Sequence, residues 1–151
     1  MRFEQTSDVL NHVGLFHQQA GEVFRKLSER ASNPRVRMLL DYIVRHEESL
    51  ANSVFSYKTE CSPQLLSTWF KYTHDQDIFA PLTAVDLDRD PSFDDVLDLA
   101  VDNDAKLLEL YQEMVERSTS PDVKELFSSL LLKEMKEKQK LIRSALGLLD
   151  I

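Results

Sequence analysis

The chain has 151 residues, 42% of them hydrophobic, and a formal net charge of −8. That length and apolar content suit one domain with a real core and exclude a disordered chain. The acid excess and the lack of any Lys/Arg stripe exclude nucleic-acid binding, which needs a basic footprint.

From the N-terminus, MRFEQTSDVL lacks the apolar core of a signal peptide. No later run approaches the about 20 apolar residues needed to span a bilayer. The expected location is the cytoplasm, with no membrane contact. Only 3 Gly and 5 Pro interrupt a sequence rich in Leu, Glu, Lys and Asp, which favours helix. A first helix is predicted over about 7–31, capped by Thr6 or Ser7, with Val9, Val13, Phe16, Ala20, Phe24 and Leu27 as its apolar stripe. A second is predicted over 34–56, from Asn33 as cap and Pro34 at the first helical position. Its stripe is Leu39, Ile43, Leu50 and Val54.

A crossover follows over 57–90. It holds Cys61, the single cysteine, which excludes an internal disulfide and has no basic neighbour to activate it. SPQLLSTWFKY reads as a short amphipathic helix, with Leu65, Leu66, Trp69 and Phe70 covering the core or a dimer surface. The stretch after it reads as irregular. A third helix is predicted over 91–118, started by Asp90-Pro91 or by Ser92 with Asp95, with Leu97, Ala100, Leu107, Tyr111 and Met114 facing inward. A fourth, over 121–147, carries Leu126, Phe127, Leu130, Leu131, Leu141 and Ala145. Its KEMKEKQK run interleaves acids with bases and reads as a solvated face.

The two halves are alike. Residues 29–50 align without gaps on 116–137, so that Pro34 falls on Pro121 and Glu47 on Glu134. One helix pair repeated, with a crossover long enough to return the chain, predicts an all-α antiparallel four-helix bundle. Polar residues interrupt each stripe: His17, Glu47, Asp104, and Glu134 followed by Glu137. Folding each pair about its turn brings His17 opposite Glu47 and Asp104 opposite Glu134. Buried carboxylates cost several kcal/mol per ion unless they are neutralised. A cation, shared protons, or water with nearby Lys and Arg can each do this. Carboxylate and imidazole ligands suit iron, manganese or zinc. His46 is expected at the stripe edge, as a surface or interface histidine or an outer partner of Glu47. Glu48 is expected in solvent, and His12 and His74 have no ligand spacing. Tyr42 and Tyr111 are placed to pack in the core or to donate a hydrogen bond to the carboxylates.

The repeat, Asp104 seven residues before Tyr111, and the Glu134-to-Leu141 frame together resemble the ferritin-like superfamily, in particular its rubrerythrin-like branch. The resemblance covers roughly residues 6–146. It implies a ferritin-like bundle with a di-iron site. That site takes one Glu from the first helix of each pair and a Glu-x-x-His motif from the second. Carried over by position, Glu47 and Glu134 match the bridging glutamates. His17 and Asp104 stand where the leading helices carry Glu. Leu50 and Glu137 stand where the motifs carry His.

Two readings follow. In one, His17 and Glu47 on one side, and Asp104, Glu134 and Glu137 on the other, hold iron or another divalent metal for redox chemistry on peroxide or oxygen. In the other, the site is a metal-free relic in a non-catalytic bundle that serves as a scaffold or interaction protein. A homodimer is expected from the apolar crossover and from the general frequency of symmetric dimers. No particular protein partner is indicated.

Overall fold

The molecule, a computed structural model, is described over residues 2–73 and 77–150, with side chains over 5–69 and 77–150. His74 and the Phe70 side chain lie outside these described residues. Four long helices form the bundle: α1 (Thr6–Arg30), α2 (Pro34–Glu60), α5 (Phe93–Arg117) and α6 (Pro121–Leu149). Two short helices, α3 (Pro63–Leu66) and α4 (Ala80–Thr83), lie in the crossover. The two strands β1 (Arg2–Gln5) and β2 (Trp69–Thr73) pair antiparallel.

Capping chemistry sets the helix starts. At α1 the Gln5 N–H donates to Asp8 Oδ2 at 2.7 Å, and this carboxylate also sits favourably in the first turn of the helix dipole. Gln5, one residue earlier than expected, is therefore the cap. Asn33 accepts from the Arg35 N–H with Pro34 next to it, as the sequence indicates. Ser92 accepts from the Asp95 N–H, and Ser120 from the Val123 N–H. Asp90 does not start α5. It accepts from the N–H and hydroxyl of Ser32, and these bonds hold its pKa below the usual carboxylate value. That contact pins the end of the crossover to the α1–α2 turn.

The α1–α2 and α5–α6 pairs pack within themselves, and α2 joins the pairs through contacts with α6 and α5. The buried faces match the predicted stripes, from Val9 to Leu27 in α1 and from Val123 to Ala145 in α6. In α5 the buried position is Val96, with Leu97 only partly covered; in α6, Leu131 is also only partly covered. Between α1 and α2, a Cβ on Gly14 would lie 2.6 Å from the Phe55 ring. A larger residue there would force that ring to move.

The crossover departs furthest from expectation. SPQLLSTWFKY is one turn of helix followed by a strand, and Trp69 is largely exposed while Leu65 and Leu66 pack against the core. The ribbon is continued by the Thr6 N–H, which donates to the Thr68 carbonyl at 2.9 Å. The stretch expected to be irregular buries Ile78 and Leu82 and folds α4 against both α1 and α5. Phe79 meets the rings of Phe16 and His12 edge-on.

Candidate metal centre

Each bundle helix carries polar side chains on its apolar face, and the packing gathers them. His17 comes from α1, Glu47 from α2, Asp104 from α5 and Glu134 from α6, all buried. Glu137, one turn beyond Glu134, keeps 20% of its side-chain exposure. The five residues singled out in the sequence therefore share one interior cluster. His46 joins them, contrary to the expectation of a surface or interface histidine. It lies four residues before Leu50 and three after Ile43, so it continues the α2 stripe. That spacing was a usable signal. Tyr42, one turn earlier, stacks its ring on the imidazole at 6.3 Å.

The first helix pair closes a hydrogen bond across its interface: His17 Nδ1 lies 2.6 Å from Glu47 Oε2. With Nδ1 turned to the carboxylate, Nε2 is the ring nitrogen left to face a metal. His46 links the two pairs. Its Nε2 lies 3.7 Å from Asp104 Oδ1 and its Nδ1 lies 3.5 Å from Glu137 Oε2. Both contacts are too long for good hydrogen bonds but short enough for strong Coulombic attraction. Donor atoms of His46, Glu47 and Asp104 lie within 4.8 Å of one another, the one such group among the described residues.

The electrostatics report crowding. Burial raises the pKa of Glu134 well above its ordinary value, and the charges of Asp104, Glu47 and Glu137 push it further. Burial also raises Asp104, aided by Glu47 and opposed by the histidines. For His46, burial alone would lower the pKa, but Asp104, Glu47 and Glu137 outweigh it and the pKa is raised. Tyr111, fully buried, is raised by burial and by the charges of Glu134 and Glu47.

The residues present fit a divalent metal. His17 Nε2, both ring nitrogens of His46, both Asp104 oxygens and Glu134 Oε1 are buried with no hydrogen-bond partner in the protein. Buried polar atoms are normally satisfied. Six left over in one cluster, all of them metal-donor types, make a donor set of the kind a divalent cation binds. Asn103, buried beside Asp104 with its amide atoms also unpartnered, was not singled out in the sequence, although it lies three residues after Ala100 and four before Leu107, the same spacing as His46 in α2. Cys61 is partly buried, which raises its thiol pKa, as suits an unreactive thiol.

Neither a protein-family model nor a curated protein sequence matches the chain. Among solved structures, the chain is similar to a Thermotoga maritima protein provisionally described as a ferritin-like diiron-carboxylate protein. The match has a TM-score of 0.64 at 17% identity, over 96% of this chain and 97% of that one. The bundle is therefore ferritin-like in fold.

Proposed function

We propose that this bundle is a rubrerythrin-like protein that binds a pair of divalent metal ions, iron foremost, among His17, His46, Glu47, Asp104, Glu134 and Glu137. The observation that carries this reading is the cluster of six partnerless donor atoms on these facing helices. The donor inventory supports it. Ferritin-like carboxylate proteins use a Glu from each of two helices and a Glu-x-x-His motif from each of the other two. That makes four carboxylates and two imidazoles. This chain assembles the same total from different positions: Glu47, Asp104, Glu134 and Glu137 with His17 and His46. The imidazole missing at Leu50 is supplied one helical turn earlier by His46. Four carboxylates balance the charge of two divalent cations, which offsets the burial and the mutual repulsion that raise Glu134 and Asp104.

In such a site Glu47, Asp104, Glu134 and Glu137 would supply oxygen donors, and His17 Nε2 and His46 would add nitrogen donors. Bound iron or manganese would supply redox chemistry toward peroxide or oxygen. The chain's own contribution is to hold the donors on rigid helices and to keep His17 in one tautomer through Glu47. Phe16, edge-on to His17, and the fully buried Tyr111 belong to the apolar core around it.

A second reading, a relic site in a scaffold or interaction protein, draws on the His17–Glu47 bond, which satisfies one carboxylate without metal. Metal analysis of protein purified without chelator separates the two. The proposal expects stoichiometric iron or manganese that disappears in Glu47→Ala and Glu134→Ala. Protein that stays metal-free after anaerobic incubation with ferrous ion supports the relic.

A further inference from the structure

Besides the partly exposed Glu137 on α6, the buried centre comes near solvent between α1 and α2. A cleft of about 410 Å³ opens between α1 and α2, and His17 lies in its wall. Two neighbouring depressions on the α1–α2 side, and an apolar one beside the end of the crossover, include no residue of the cluster. Gly21 and Ala51 also line the cleft. A Cβ added to Gly21 would meet Glu47 Cβ at 3.7 Å, an ordinary contact. Packing therefore does not require glycine at position 21, unlike position 14. What the glycine does is thin the wall, so that only the Glu47 stem stands behind it.

The outer part of the cleft is polar. Glu22 and Glu48 are exposed, and the side-chain amides of Gln18 and Asn52 add further oxygens. Arg25 bonds Glu48 at 2.6 Å, with both side chains about half exposed. Such a pair is worth little in water and opens readily. Deeper in, His17 is buried with Nε2 lacking any protein partner while Nδ1 is held by Glu47.

We infer that this α1–α2 cleft is the port through which a divalent cation reaches the centre, with Glu22 and Glu48 at the mouth and His17 as the inner station. The inference rests on the proposed metal site. An incoming cation competes with Arg25 for Glu48, sheds water onto the amide oxygens, and meets the His17 Nε2 lone pair before the carboxylates.

The test is the rate at which the metal-free full chain takes up Co²⁺, followed by stopped-flow absorbance. At low ionic strength the Glu22→Gln/Glu48→Gln variant should load at least about threefold more slowly, and the gap should close in high salt, as steering by a local field requires. Its equilibrium affinity should stay within about twofold of the parent, because neither residue belongs to the centre. Ala51→Leu, which narrows the cleft, should slow loading at every ionic strength. Asp98→Asn/Glu109→Gln removes the same charge from the exposed face of α5 and should load at the parent rate. The port is overturned if the Glu22/Glu48 variant keeps the parent rate, or if the α5 variant slows as much. Both charge variants alter exposed residues only, so they decide the matter even if Ala51→Leu folds poorly. A parent protein that binds no Co²⁺ at equilibrium overturns the metal reading and the port together. Normal equilibrium binding with unchanged rates overturns the port alone.

Discussion

The two helix pairs are alike in sequence, yet they treat their buried polar groups differently. In the α1–α2 pair, His17 and Glu47 bond each other at 2.6 Å. In the α5–α6 pair, Asp104 and Glu134 are both acids with buried oxygens that lack a hydrogen-bond partner, and burial raises both pKa values. A base–acid pair is self-satisfying, whereas an acid–acid pair needs a proton or a cation from elsewhere. His46, although carried by α2, directs its ring toward Asp104 and Glu137 and so supplies the acidic pair with its missing counterpart. The lesson is that two helix pairs alike in sequence meet the cost of burying polar groups in different ways.

Substitutions break this comparison from the acidic side first. Glu134→Ala should abolish stoichiometric metal binding, measured by elemental analysis after ferrous loading. His17→Gln should retain metal with about tenfold weaker affinity, equal to about 1.4 kcal/mol, because one nitrogen donor is lost while the carboxylates remain. Equal losses in the two variants would erase the distinction between the pairs.

Metal removal comes next. At a free metal concentration about 1,000 times Kd, binding stabilises the folded state by about 4 kcal/mol. For a chain of this length, that is a rise in Tm of roughly 8–16 °C. Calorimetry with and without chelator measures it, and an unchanged Tm would place no metal in the folded protein.

The pH dependence of the metal-free protein is smaller and more specific. Glu134 and Asp104 hold their protons more tightly folded than unfolded. Their contribution is fully present below about pH 4, where both states are protonated. As pH rises the unfolded carboxyls ionise first, so stability falls, and the contribution is lost once the raised folded pKa values are passed. His46, also raised, acts in the same direction above about pH 6.5. Chelated protein should therefore lose stability between pH 5 and pH 8. Glu134→Gln should flatten that slope. Parallel denaturation curves for the two proteins would show that Glu134 is not held protonated.

The smallest effect lies outside the centre. Ser92→Ala removes the α5 cap and should cost about 1 kcal/mol in urea unfolding without changing metal content.

Much of this architecture was legible in the sequence because it is local. Stripe spacing, Pro34 and Pro121 after capping residues, and the gapless repeat all declare helices within a few residues of their observed ends. The five interruptions His17, Glu47, Asp104, Glu134 and Glu137 are visible because a polar residue in an apolar period is conspicuous. What escaped was non-local or masked by a neighbour. The β1–β2 ribbon joins Phe3 to Tyr72, a pairing that no window of sequence contains. Ile78 and Leu82 enter the core from a stretch too short to show a period. His46 stood next to Glu47, and a single inward position was assigned where α2 turns two adjacent residues toward the centre.

The central claim is that six donors from four helices form one metal centre, and anomalous diffraction at the iron edge tests it most directly. Crystals of protein purified without chelator and loaded with ferrous ion should show two peaks about 3.5–4 Å apart among His17, His46, Glu47, Asp104, Glu134 and Glu137. A map without a peak there, in protein whose helices are packed as described, would contradict it.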